Sequence, residues 1–359
     1  MRLGILDPRD DREQVCSWLA FQSVLHLDPV SAHELLQQTP DPVAALHACG
    51  QSRALQEPSL EVRCEALAKL GASVLPLPAP AYPERLRVLP DAPPVLLILG
   101  SPEVLLGRAV AIVGARAPTV YGLRVARDLA TALAEAGVVV VSGLARGIDA
   151  AAHQATLEAG GLTVAFSACG PDRTYPAEHA SLADEIVRRG AVVTEMPLET
   201  PPLAHYFPLR NRLISGLAEI VVVVEGRLRS GSLITARRAI DQGRDVMVVP
   251  GPIGAPTSQG PNRLLREGAA PVTRIADVFE MLDLSLPDSG PDARAKRDAT
   301  SPLGARILAI LQQEPCTRDA LGHRVEVPAG RLALALTELE LAGRIALDRD
   351  GCFRLLGGP

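Results

Sequence analysis

Three stretches decide the fold: AVAIVGARAPTVYG (Ala109–Gly122), VVVVSGLARGIDAAAH (Val138–His153) and IVVVVEGRLRSGSLITARRA (Ile220–Ala239). Each reads as a short apolar strand, a glycine-bearing turn and the start of a helix. Strands that are β-branched and apolar on both faces are those of a parallel sheet buried between helical layers. The alternation runs on from Ala109 to Leu282. It predicts strands at 109–113, 138–142, 162–167, 191–195, 219–225 and 245–249, with helices such as Leu123–Glu135 and Ile148–Glu158 between them. The expected fold class is α/β, a doubly wound and mostly parallel sheet. Ligands on such a sheet sit at the carboxyl ends of the strands, where all three turns fall.

Outward from this core, residues 1–75 read as a small helical module of the SAM or helix-hairpin-helix sort. Apolar spacing of three and four, with Pro and Asp at the breaks, predicts helices at 12–27, 29–37, 42–48 and 60–70. Few basic residues lie there, so packing or dimerisation stands beside DNA binding as its role. The segment Pro76–Pro94 (PLPAPAYPERLRVLPDAPP) is too proline-rich for regular helix and should run extended, followed by a strand at Val95–Leu99. The core domain is expected over 76–283, and the polar run 284–300 reads as a linker. Residues 301–359 show helices at 303–313, 317–323 and 328–342 and strands at 344–348 and 352–356, a winged helix. That fold usually implies DNA. Here the third helix, PAGRLALALTELELAG, carries only Arg331 as a base, so a protein contact or weak DNA role competes with sequence readout.

Composition narrows the function. The 359 residues are 47% hydrophobic but only 3% aromatic, with Trp18 the one tryptophan. A broad aromatic platform for stacking bases is disfavoured. The net charge of −5 announces no basic field, so any polyanion site must be a local pocket. Lysine occurs only at 69 and 296; phosphate contacts would therefore be forked arginine ones. The six cysteines show no CxxC and no metal-like spacing, as expected of reduced thiols and no metal site. Without an apolar signal core or a long apolar run, a cytoplasmic protein with no membrane role is expected.

The turns carry the chemistry. Gly114 lets the chain turn tightly out of its strand, the Ala115 amide follows, and Arg116 can fork onto a phosphate near a helix N-terminus. The motif is not GxGxxG and no acid follows to hold a ribose, so no dinucleotide cofactor is expected. In the second turn, Ser142, Gly143 and Arg146 offer a hydroxyl, an amide and a charge. Asp149 reads as a first-turn partner of the helix dipole rather than a catalyst, paired with His153 one turn on. In the third, Ser230, Gly231, Ser232 and Thr235 open a helix without the lysine of a P-loop, which leaves magnesium-dependent NTP hydrolysis unsupported. Between them, Arg210, Asn211 and Arg212 crowd one helix start. They need an anion, or carboxylates such as Glu195 or Glu225 inside the fold. Phe207 offers one stacking face.

These blocks, together with ACGPDRTYPAEHASL (Ala168–Leu182) and QGPNRLLREGA (Gln259–Ala269), resemble the DprA family of DNA-processing proteins, also called Smf. The resemblance covers about half the chain in order, and the flanking modules agree with it. It implies a Rossmann-like core that binds single-stranded DNA without catalysis, protects it and helps load RecA recombinase during natural transformation and recombination, as a homodimer. Single-strand-binding protein as a partner, and double-stranded DNA on the winged helix, are further expectations. The implied DNA contacts are Gly114, Ala115, Arg116, Ser142, Gly143, Arg146, the Tyr175–Pro176 turn, Phe207, Arg210, Asn211, Arg212, Ser230, Gly231, Ser232 and Thr235. The chain departs from the family at Ala177 and His179, where Lys and Asn are usual, with Arg173 available to compensate, and at Ala115, where Ser is common. Leu264 and Leu265 are the expected dimer contacts. The competing readings are a nucleotide phosphoribohydrolase-like enzyme using Glu225 and a scaffold that needs no DNA.

Overall fold

In a computed structural model, described over residues 4–25, 28–286, 302–341, 344–348 and 350–355, the chain divides into two compact units, 1–287 and 288–359. The expected linker falls almost entirely outside the described residues.

The first unit begins with helices α1 (Arg12–Leu25), α2 (Pro29–Gln38), α3 (Pro42–Ala48) and α4 (Ser59–Leu70). Asp28 and Asp41 cap α2 and α3, and proline fills the first position of each, where a missing N–H costs nothing. Strand β1 (Ala72–Pro76) and β2 (Val95–Gly100) follow, with the one-turn helix α5 (Glu84–Arg87) between them. This turn is a departure from the extended run expected of the proline-rich segment. Arg87 staples it, donating to the carbonyls of Leu77, Ala79 and Tyr82. Then strands and helices alternate: β3 (Ala109–Val113), α6 (Val120–Glu135), β4 (Val139–Ser142), α7 (Ile148–Glu158), β5 (Thr163–Phe166), α8 (Ala180–Arg189), β6 (Ala191–Thr194), α9 (Tyr206–Leu217), β7 (Ile220–Val223), α10 (Gly231–Asp241) and β8 (Asp245–Val248). The unit closes with α11 (Gln259–Arg266), β9 (Ala270–Pro271) and α12 (Ile275–Met281).

The nine described strands of this unit form one sheet in the order β1-β2-β6-β5-β4-β3-β7-β8-β9. β1 and β2 pair antiparallel, as do β2 and β6; the other pairs are parallel. Burial on both faces is visible residue by residue. Ala109, Ala111 and Val113 of β3 belong to one core, Val110 and Ile112 to the other. Alternate side chains point to opposite faces, so each strand must be apolar throughout.

The first of these cores also holds Leu19, Phe21 and Leu67 from the N-terminal helices. The helical module is thus packed into the sheet rather than appended to it, and the boundary expected at residue 75 falls inside β1. No helix among the described residues is long and apolar enough to cross a membrane.

The second unit is a winged helix. Helices Pro302–Leu311, Arg318–Val325 and Ala329–Leu341 enclose a separate core around Ile307, Leu321, Leu336 and Phe353. A three-stranded sheet of Cys316–Thr317, Cys352–Leu355 and Ile345–Leu347 completes it.

Candidate functional site

A cleft of about 730 Å³ opens at the carboxyl ends of β3, β4 and β7. Its walls are the loop after β3, the loop after β7 with the start of α10, and the start of α9. Close packing sets the loops. A Cβ on Gly114 would lie 2.6 Å from Cγ1 of Ile148, so glycine is needed there for close approach rather than for the turn expected. Gly147, at φ +79°, sits where a Cβ would meet the Ala115 carbonyl at 2.3 Å.

Four arginines line the cleft: Arg116, Arg210, Arg227 and Arg229. Arg116, Arg227 and Arg229 are exposed, and among the described residues none of the three has an ion-pair partner. Arg108, Arg146 and Arg212, by contrast, are each answered by a carboxylate. Arg227 and Arg229 were not picked out from the sequence. The signal was the RLRS directly before the Ser230–Gly231–Ser232 helix start. Beside them, Tyr175 and Phe207 form an edge-to-face pair with centroids 5.4 Å apart, and the Arg116 guanidinium lies 5.6 Å from the Phe207 ring centre.

The three strand–turn–helix junctions differ once folded. At the first, the chain answers its own helix start. Thr119 accepts from the Gly122 amide, and the 4% exposed Glu225 accepts from the Thr119 amide and hydroxyl. Glu225 is thus committed to α6. At the second, Ser142 is fully buried and donates to the Ile112 carbonyl at 2.7 Å, which corrects its assignment as a phosphate contact. The Gly143 amide donates to Asp149, and Arg146 grips Glu178 through two contacts of 2.5 and 2.7 Å. Burial raises the Asp149 pKa, with Arg210 pulling it down. Asp149 and His153 do not pair; His153 instead meets Thr163 Oγ1 at 2.7 Å. The start of α7 has no side-chain cap either, but its Ile148 and Ala150 amides donate to the Ala115 and Ala145 carbonyls at 3.2 and 3.1 Å; the third junction opens its helix start to the cleft. No side chain caps α10, and a Cβ on Gly231 would meet nothing within 4 Å. Thr235 donates back to the Gly231 carbonyl, while the Ser230 and Ser232 hydroxyls bond to each other.

Arg210, Asn211 and Arg212 separate. Arg210 reaches the cleft but is 4% exposed, donating to the Gly143 and Phe166 carbonyls. Burial pulls its pKa down to about 10, against the attraction of Asp149. Asn211 Nδ2 donates to the Gly231 carbonyl at 3.4 Å, joining α9 to α10. Arg212, 1% exposed, lies away from the cleft between Glu195 at 2.5 Å and Asp91 at 3.3 Å. This corrects its assignment as a DNA contact. Residues two apart on a helix face different sides, and the carboxylates answer Arg212 instead of an anion.

The Tyr175 turn brings only Tyr175 into the cleft. Ala177 is exposed on the following 3₁₀ turn, His179 donates to the Leu144 carbonyl at 2.9 Å, and Arg173 leans on Asp172 at 3.4 Å. Leu264 is 3% exposed inside the core, which removes it from any dimer surface; Leu265 beside it is half-buried.

The family profile of DNA recombination-mediator protein A matches residues 73–283, and that of the DprA winged helix domain matches 291–351. Protein Smf of Escherichia coli is 38% identical over 96% of this chain and 92% of its own. The X-ray structure of DNA processing protein A from Streptococcus pneumoniae superposes with a TM-score of 0.62 at 33% identity, covering 77% of this chain and 97% of that one. A structure of DNA processing protein A from Helicobacter pylori, solved for its single-stranded DNA binding mode, gives 0.55 at 31% identity over 60% and 97%.

Proposed function

The chain belongs to the DNA recombination-mediator protein A family, and on that premise we propose that its cleft binds single-stranded DNA by the backbone, without reading sequence. The observation that carries this reading is the convergence of three unpaired arginines, Arg116, Arg227 and Arg229, on an uncapped helix start beside an aromatic pair. Forked guanidiniums and the amides of a helix N-terminus both suit phosphate. Tyr175 and Phe207 supply a face that any base can stack on. The relative from Helicobacter pylori, described for single-stranded DNA binding, supports the same class of ligand.

The wider role follows the family: protection of the strand, loading of RecA onto it in transformation and recombination, contact with single-strand-binding protein, and action as a cytoplasmic homodimer. With Leu264 in the core, Leu265 is the residue of that pair available to a dimer contact. Double-stranded DNA on the winged helix belongs to the same proposal. The phosphoribohydrolase reading is weakened because Glu225, its catalytic candidate, spends both oxygens on Thr119. A gel shift of oligo-dT across a salt series tests the proposal: tight binding with a steep salt slope is expected, and weak binding that ignores salt would overturn it.

A further inference from the structure

The sheet has a second groove at its other end. Where the cleft follows the carboxyl ends of the strands, this groove of about 500 Å³ precedes them: Leu106 lies just before β3, Leu217 before β7 and Arg244 before β8. Its floor is apolar and closed, with Leu105 and Leu217 each 1% exposed. Its rim is apolar and open, with Val88 62% and Leu106 50% exposed. Leucine and valine left in water beside a concavity mark a surface that gains by being covered.

The charges around it do not balance. Glu219 is shared by Arg85 and Arg108, each at 2.7 Å. Arg244 receives no carboxylate; it donates to the Arg85 carbonyl at 2.9 Å and the Gly216 carbonyl at 3.1 Å, and its Nε is buried with no partner. The acid in the groove's own lining, Glu84, is turned toward Arg87 at 3.1 Å. Three guanidiniums thus gather around Glu219, with Asp283 the second carboxylate acting on Arg108. Burial holds Arg244 below the usual arginine value, the like charge of Arg85 adds to this, and Glu219 opposes.

We infer that this groove docks an acidic peptide segment of another protein, with an apolar side chain on Val88 and Leu106 and its carboxylates on Arg85 and Arg244. Arginine clusters recognise acidic motifs by forked, charge-assisted hydrogen bonds. A nucleic acid would answer the arginines but leave the two apolar side chains in water. Because groove and cleft occupy opposite ends of the strands, the peptide and single-stranded DNA bind together. The inference does not depend on what the cleft binds.

The probe is a short fluorescent peptide alternating glutamate and leucine, titrated into the full-length protein by anisotropy. Saturable binding is expected. Leu106→Asp, a change at an exposed position, and Arg244→Glu should each weaken it roughly tenfold. Exchanging the peptide's leucines for serine, or its glutamates for glutamine, should do the same. Saturating oligo-dT should leave the peptide affinity within about twofold, and both variants should keep the oligo-dT affinity of the parent. Equal binding by the glutamine peptide, indifference to Leu106→Asp, displacement by oligo-dT, or no saturation below about 1 mM would each overturn the inference.

Discussion

Arg116, Arg227 and Arg229 are exposed and unpaired, so replacing all three with alanine removes charge from the cleft at little cost to the fold. Each phosphate contact on a single strand contributes about 0.7 to the slope of log affinity against log salt, so the triple variant should bind oligo-dT more weakly and flatten that slope by about 2. An unchanged slope would place the DNA elsewhere. Arg212 is a different kind of arginine. Arg212→Leu leaves Glu195 buried and alone, and should cost about 3–5 kcal/mol in urea unfolding. Oligo-dT affinity of the folded protein should be kept. His153 adds a pH dependence. Thr163 donates its hydroxyl proton to the Val140 carbonyl, so His153 Nδ1–H must be the donor to Thr163, and the buried Nε2 has no partner. Burial, with His179 and Arg210 nearby, pulls the His153 pKa from 6.5 to about 3. Between those values the unfolded chain takes up a proton that the native one refuses. The neutral imidazole's contribution is therefore complete above pH 6.5 and declines as pH falls toward 3, by at most about 1.4 kcal/mol per unit. His153→Gln should flatten this part of the stability curve; the same decline in both proteins would contradict the burial argument. At this scale the sequence shows which side chains are present but not what answers them. Arg116 and Arg212 sit in equally suggestive motifs, yet one meets solvent and the other Glu195 and Asp91.

Among the elements, α6 and α10 begin alike after apolar strands and end up doing opposite things. The start of α6 is closed by Glu225, whose partner Thr119 is 106 positions away. The start of α10 is left open at Gly231. Gly231→Asp meets no steric obstacle and places a carboxylate where a phosphate is expected. It should lower oligo-dT affinity roughly tenfold while leaving the melting temperature near that of the parent. Glu225→Gln should do the reverse, costing about 1–2 kcal/mol of stability through the lost cap with little change in binding. Comparison of the two variants by thermal melting and gel shift separates a helix start that holds the fold from one that holds a ligand. The strand–turn–helix pattern itself was legible, because two-sided burial forces an apolar strand and close loop packing forces glycine at 114 and 147. Which helix start stays free was not, because the carboxylate that closes α6 comes from the loop after β7, about a hundred residues away in the chain.

In the whole molecule, the two compact units have separate cores, one around the sheet and one around Ile307, Leu321 and Phe353. A chain ending at residue 287 keeps every arginine of the cleft and should retain most of the oligo-dT affinity in a gel shift. Collapse of binding on that truncation would move the DNA site to the winged helix. The joining of the N-terminal helices to the sheet also belongs to this scale. Gln22 of α1 donates to the Glu195 carbonyl beside β6, and β1 extends the sheet. A helical module read alone looks independent because its apolar stripe does not say which surface will cover it. The α/β class, most strand positions and the winged helix were legible in the chain alone. Those follow from periodicity, glycine and proline, which act over a few residues. Only the folded chain assigns Ser142 and Arg212 to the core, buries Leu264, sets Arg227 and Arg229 on the cleft and turns the start of α10 toward it. Those outcomes depend on which groups meet across a hundred residues of chain, where a buried charge or amide must find a partner and an exposed one need not.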